Sequence, residues 1–178
     1  MAGGRRLARV AAVLVAMLTL AGCGLTHVQD LNFRVDKRLH FVSPKDRSTV
    51  HQQVTIAWRM DDFKVAAQGS QPQSRDAGYF AVFVDRTPIK PGHTMDDVAK
   101  DDPFCQRSPT CPDSDYLSQR NIYTTTKTSL DIPFIPNISG SKEKLQLHAI
   151  TIVLMNTSGH RIGESAWELD VRIRKVGV

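Results

Sequence analysis

The chain has 178 residues, the length of a single domain. It carries 23 Lys+Arg and 18 Asp+Glu, a formal +5, but Arg5, Arg6 and Arg9 sit in the first nine residues; the remainder is 20 against 18, a balance that argues against a basic nucleic-acid binder. A hydrophobic share of 41% argues against a disordered chain and allows a packed core.

In chain order, a positive stretch comes first and an apolar run from about Val10 to Leu20 follows it. That run is short for a transmembrane helix, which needs about 20 apolar residues. It ends in Leu20-Ala21-Gly22-Cys23. The three parts in this order resemble the bacterial lipoprotein signal, whose lipobox is Leu-Ala-Gly-Cys. The resemblance implies that residues 1–22 are removed and that Cys23 carries the lipid. Residues 23–30 would then be a lipidated tether and 31–178 the folded domain. Two acyl chains meet the two-signal requirement for stable anchoring. The seven residues 24–30 reach about 23–25 Å when extended. This places the domain near an extracytoplasmic membrane surface.

Cys105 and Cys111 remain once Cys23 is assigned to lipid. An even pair in an oxidising compartment predicts a small loop disulfide. A zinc half-site has tighter spacing and needs two more ligands, and a redox pair is usually Cys-x-x-Cys.

Leu31, Phe33 and Val35 alternate with polar residues, a half-buried strand that Leu39 to Val42 continue. Residues 43–47 read as a turn. Val54, Ile56, Trp58 and Met60 predict a second strand with Trp58 inward, and residues 68–78 a polar loop. Residues 79–84 are apolar on both faces, the pattern of a covered central strand. A long segment then runs over residues 86–121. Within it, Thr94 with Asp97 forms a capping-box pattern for a short helix, and Asp113 or Ser114 starts another at 114–120. Residues 122–126 are β-branched and strand-prone. Leu130, Ile132 and Phe134 alternate until Pro133 and Pro136 intervene. Residues 145–155 predict a long strand with a bulge or a buried centre, and residues 156–160 a hairpin turn. Trp167, Leu169, Val171 and Ile173 give the cleanest alternation in the chain.

About seven strands without a long amphipathic helix predict an all-β, antiparallel two-sheet immunoglobulin-like sandwich with one long disulfide-containing loop. Trp58 on the second strand resembles the core tryptophan of fibronectin type III domains. The run Tyr79-Phe80-Ala81-Val82-Phe83-Val84-Asp85-Arg86, Pro91-Gly92, the cysteine pair, Ile152-Val153-Leu154 and residues 159–165 resemble small lipoproteins of actinobacteria. That resemblance implies an envelope location and no particular activity.

Side chains for catalysis do not assemble in the sequence. Gly-x-Ser-x-Gly is absent, and Ser139 and Ser158 precede glycines in turns. The histidines are His27, His40, His51, His93, His148 and His160, and none forms His-x-His or His-Glu-x-x-His. His148 falls outside the odd-numbered apolar set of its strand, which predicts a surface or rim position. His93-x-Met95 resembles a fragment of the motif of periplasmic copper chaperones, but further Met and His ligands at set spacing are missing. Asp113-x-Asp115 offers oxygen ligands for calcium without the rest of an EF-type loop. Glu164 and Glu168 flank or lie on a strand, where Glu168 reads as solvated. No catalytic residue, metal or cofactor is therefore assigned.

The sequence reading is a non-catalytic, membrane-anchored envelope lipoprotein, acting as an interaction or accessory module for an envelope protein partner, with no role in nucleic-acid binding. A module for cell-wall glycan or a small ligand is the alternative. Residues 86–121 are the candidate contact surface, or a structural flap over the strand at 79–84, or both.

Overall fold

The structure, a computed structural model, describes residues 36–70, 74 and 76–175, all within the compact unit Asp36–Val178. The signal, the lipid site at Cys23, the tether and the predicted strand start at Leu31, Phe33 and Val35 lie outside the described residues.

The fold is mostly β, with nine strands in two open sheets among the described residues. The strands are β1 (Leu39–Ser43), β2 (Ser48–Val50), β3 (Val54–Met60), β4 (Lys64–Val65), β5 (Ala77–Val84), β6 (Ile122–Thr125), β7 (Ser129–Ile132), β8 (Leu145–Asn156) and β9 (Trp167–Arg174). One sheet has the order β1-β3-β7. The other has the order β2-β9-β8-β5-β4, and β6 pairs with β5 beside β4.

This corrects the expected count of about seven strands and the purely antiparallel pairing. The two extra strands are the short β2 and β4. Both pair in parallel, β2 with β9 and β4 with β5. Each has three residues or fewer, too short for a periodicity to register.

The two sheets share one apolar core. Val54, Ile56 and Trp58 enter it from β3, and Ile132 from β7. Phe80, Val82 and Val84 of β5 meet them from the larger sheet, with Ile150, Ile152 and Leu154 of β8 and alternate residues of β9. The ring of Trp58 stands edge-on to Phe80 at 5.2 Å between centroids, a favoured aromatic geometry. The alternation read for β3 and β9 therefore does select the buried face. In β7 it runs out at Pro133: Phe134 is exposed, and Ile135 takes the buried place. Gln52 fixes that switch, accepting from the Ile135 amide at 3.0 Å and donating to its carbonyl at 2.9 Å.

At the first described residue a polar clamp closes the edge of this core. The Asp36 carboxylate takes a forked contact from the Arg38 guanidinium (Nη2 at 2.8 Å) and a hydrogen bond from Ser165 Oγ at 2.8 Å. The Trp167 indole donates to the Asp36 carbonyl at 2.8 Å. The Arg38 hydrogen bonds, against a smaller opposing effect of burial, pull the Asp36 carboxyl down to about 2.

Two tests follow from these contacts. Gly78 lies between Val65 and Asn156 in the sheet, where a Cβ would overlap the Met155 carbonyl oxygen. Gly78→Ala is expected to lower stability by about 2–3 kcal/mol, read as a lower urea midpoint. The Asp36 carboxyl is depressed in the folded state, so its stabilisation is complete above the unfolded value of 3.8 and is lost as pH falls through about 2. Acid titration of urea stability should therefore be shallower in Asp36→Asn over that window. An unchanged slope would show that the clamp contributes nothing to folding.

Candidate functional site

The residues joining β5 to β6 form a cover on the sheet face opposite the shared core. Tyr79, Ala81 and Phe83 point to that face from β5, and Val153 and Met155 join them from β8. An apolar sheet face of this kind must be shielded from water. Met95, Ala99, Cys105, Tyr116 and Leu117 of the cover complete a second core over it. Residues 86–121 are thus a structural flap, which decides one half of the sequence question.

Local chemistry shapes each turn of the flap. At its start Asp85 adopts a positive φ of 53° and exchanges backbone and side-chain hydrogen bonds with Ala149. Its second carboxylate oxygen lies 2.6 Å from His148 Nδ1. His148 is 1% exposed, so the expectation of a surface or rim position is wrong. The inward set of β8 is even-numbered: Gln146, His148, Ile150, Ile152 and Leu154. Leu145 and Leu147, which suggested the odd phase, face outward and are exposed.

Further along, the backbone of the flap joins the 156–161 turn, with the Arg161 amide donating to the His93 carbonyl at 2.8 Å. The Arg161 side chain is buried there, and among the described residues it forms no salt bridge. Its guanidinium donates to the carbonyls of Ile89, Glu164 and Ser165. Burial pulls its pKa below the usual arginine value.

The predicted caps are present. Thr94 starts a 3₁₀ turn at Met95–Val98, and its amide donates to Asp97 Oδ2 at 2.8 Å. Asp113 accepts from the Tyr116 amide at 2.8 Å and starts the short helix α1 (Ser114–Ser118). These contacts also account for two candidate ligand sets. Met95 is buried in the second core, and His93 Nδ1 lies 3.2 Å from Asp97 Oδ2. Asp113 is occupied as a helix cap. Among the described residues, no three His, Cys, Asp or Glu side chains gather as a metal site.

The outer tip of the flap is tied together twice. Cys105 and Cys111 form a disulfide, as expected. Beside it, Asp102 accepts from Tyr116 Oη at 2.9 Å, Arg120 Nη2 at 3.0 Å and the Phe104 amide at 2.9 Å. The Phe104 amide most of all, and then the Tyr116 hydroxyl, hold the Asp102 carboxyl below its ordinary value. The Arg120 guanidinium also lies 3.5 Å over the Tyr116 ring. None of this network was legible in the sequence, because Asp102, Tyr116 and Arg120 are 14 and 18 residues apart along the chain.

Around the network opens a cleft of about 420 Å³, lined by Asp102, Phe104, Asp115, Tyr116 and Gln119 among others. Phe104 is 68% exposed at its rim, the most exposed large apolar side chain among the described residues. A smaller cleft of about 240 Å³ runs beside the disulfide, past Lys100 and Gln106. A third, of about 360 Å³, opens at the sheet edge between Gln68, Tyr79, Thr125 and Lys127. The arrangement suits contact with another molecule through a ring, carboxylates and amides held in fixed positions.

The double variant Cys105→Ser/Cys111→Ser frees a seven-residue loop and is expected to lower stability by roughly 2 kcal/mol in urea unfolding. The loss should concentrate in the flap, seen as faster amide exchange at Tyr116 and Leu117 than at Ile152. Uniform acceleration would show that the two cores unfold as one unit.

No family model, no curated protein and no solved structure matches this chain.

Proposed function

We propose that this chain is a non-catalytic bacterial envelope lipoprotein of actinobacterial type, anchored through Cys23 on the extracytoplasmic face of the membrane. Its domain is an immunoglobulin-like sandwich that serves as an accessory module for another envelope protein. The sandwich reading is supported by strand order. One sheet reads β1-β3-β7 and the other β9-β8-β5 with β6 at its margin. Those positions match the A-B-E and G-F-C strands of the immunoglobulin arrangement, with β6 in the place of an additional C′ strand. The early chain contributes β1 to one sheet and β2 to the other.

The observation that carries the interaction reading is the exposure of Phe104 on a braced scaffold. Its neighbour Cys105 is disulfide-bonded, its amide is held by Asp102, and the turn beneath it packs on the second core. A side chain held this way loses little freedom on binding, which lowers the cost of association. An aromatic ring at the rim of a cleft is a typical anchor at protein interfaces. The same ring beside Asp115 and Gln119 also supports the second reading, a glycan or small-ligand module.

Crosslinking in intact cells separates these readings. One dominant envelope-protein adduct through residues 86–121 is expected, together with acylation of Cys23 that Cys23→Ser abolishes. Phe104→Ser should change stability by less than about 0.5 kcal/mol while removing the adduct. Recovery with the cell-wall glycan fraction, and no protein adduct, would replace the accessory role with ligand binding. An undiminished adduct in Phe104→Ser would move the contact surface off the flap tip.

A further inference from the structure

The flap covers only part of the outer sheet face. It packs on Val153 and Met155, toward one end of β8. Toward the other end, the same face carries Leu145 and Leu147, 41% and 46% exposed. Their cross-strand partners on β9 are Arg174 and Arg172, both exposed, and Thr49 of β2 pairs beyond Arg172. Lys142 and Lys144 stand exposed in the loop entering β8. Lys175 follows β9, and its amide donates to the Lys144 carbonyl at 2.8 Å. The Arg172 guanidinium rests on the Arg47 carbonyl at 2.6 Å. Among the described residues, none of Lys142, Lys144, Arg172, Arg174 and Lys175 joins an ion pair.

Charge is segregated around these leucines. Residues 141–147 and 171–175 hold five Lys/Arg and one acid, Glu143, a net +4. Residues 36–175 as a whole hold 19 Lys/Arg and 17 Asp/Glu, so everything outside the two segments is net −2. These cations stand around the two leucines at one end of the face; farther along β9 the same face carries Glu168 and Asp170, the latter paired with Arg47, and the three clefts described above are lined by other residues.

We propose that this face docks on an anionic lipid surface, as a second membrane contact beside the acyl anchor. The inference rests on the membrane placement proposed from Cys23. A sheet face with cations outside any ion pair and two leucines suits headgroup phosphates, which need no fixed pocket. Chain length permits it. Thirteen residues lead from Cys23 to Asp36, at most about 43–47 Å of extended chain. Trp167, which bonds Asp36, and Arg174 are seven residues apart on β9, about 23 Å. An anchor entering at the Asp36 end thus leaves enough chain for the Arg174 end to reach the bilayer.

The test uses residues 36–178, which carry both cores, mixed with vesicles of phosphatidylglycerol and phosphatidylcholine or of phosphatidylcholine alone. Sedimentation should show binding that requires phosphatidylglycerol and falls as salt rises. Each basic residue near such a surface is worth about fivefold in partitioning. Lys144→Gln/Arg172→Gln/Arg174→Gln should therefore lower it at least tenfold with an unchanged melting temperature. Lys90→Gln/Lys100→Gln, on the flap, should leave it intact. Equal partitioning of the triple variant and the parent would overturn the proposal, as would absence of binding at low salt. Retention on polyglutamate without vesicle binding would assign the face to an acidic protein instead and would equally overturn it. Because this fragment lacks Cys23, a failed acylation assay with intact vesicle binding would reject the anchor alone.

Discussion

The structure depends on one constraint: β5 is apolar on both faces, and all eight of its residues are buried. A strand of this kind cannot sit at a solvated surface. Its even residues require the three-stranded sheet against them, and its odd residues require a second cover. Burying a Phe or Val side chain fully is worth about 1.5–3 kcal/mol, so leaving Tyr79, Ala81 and Phe83 open would forfeit a sizeable part of a typical folding free energy. The length of the β5–β6 connection follows from this. It must cross the sheet face, deliver Met95, Tyr116 and Leu117 to it, and return to pair β6 beside the same strand.

That demand explains why structure and exposure coexist in the flap. Its inward residues are fixed by packing, by two helix caps and by a disulfide. Its outward residues are free of that duty, yet they inherit the rigidity. Phe104 and the Asp102–Tyr116–Arg120 network occupy this outer layer. The flap's role as a cover and its role as a contact surface therefore rest on opposite sides of the same short turns.

Much of the fold was legible where burial and period coincide. Trp58 in β3, the double-sided run of β5 and the alternation of β9 all point where their patterns say. So do the caps at Thr94 and Asp113, because a cap is a local interaction within three residues. The failures share a cause. Leu145 and Leu147 suggested an odd inward phase, yet Gln146 and His148 occupy the inner positions because partners outside the strand hold them: the Gln146 side-chain oxygen accepts from the Ile138 amide, while its Nε2 finds no partner among the described residues, and His148 meets Asp85, 63 residues earlier. A buried polar group reads as exposed until its partner is known. Similarly, Ile135 replaces Phe134 in the core because Gln52, 83 residues earlier, captures both of its backbone groups.

The misread phase of β8 also bears on function. Had Leu145 and Leu147 been core residues, the end of β8 would present glutamine and histidine to solvent. In the observed phase the leucines are outside and the polar pair is inside, an inversion of the usual amphipathic logic. Inside, the inversion is partly compensated, by the Ile138 amide on the Gln146 oxygen and by the Asp85 carboxylate on His148. Outside, the leucines have only Arg172 and Arg174 opposite them, and arginine is a residue whose aliphatic stem can lie along apolar surface. A sheet can hold such a face in isolation. Selection for solubility alone would place polar residues at both leucine positions, so the pairing of exposed leucines with unpaired cations is the part of this fold that folding requirements leave unexplained and that contact with a charged, apolar-cored surface would explain.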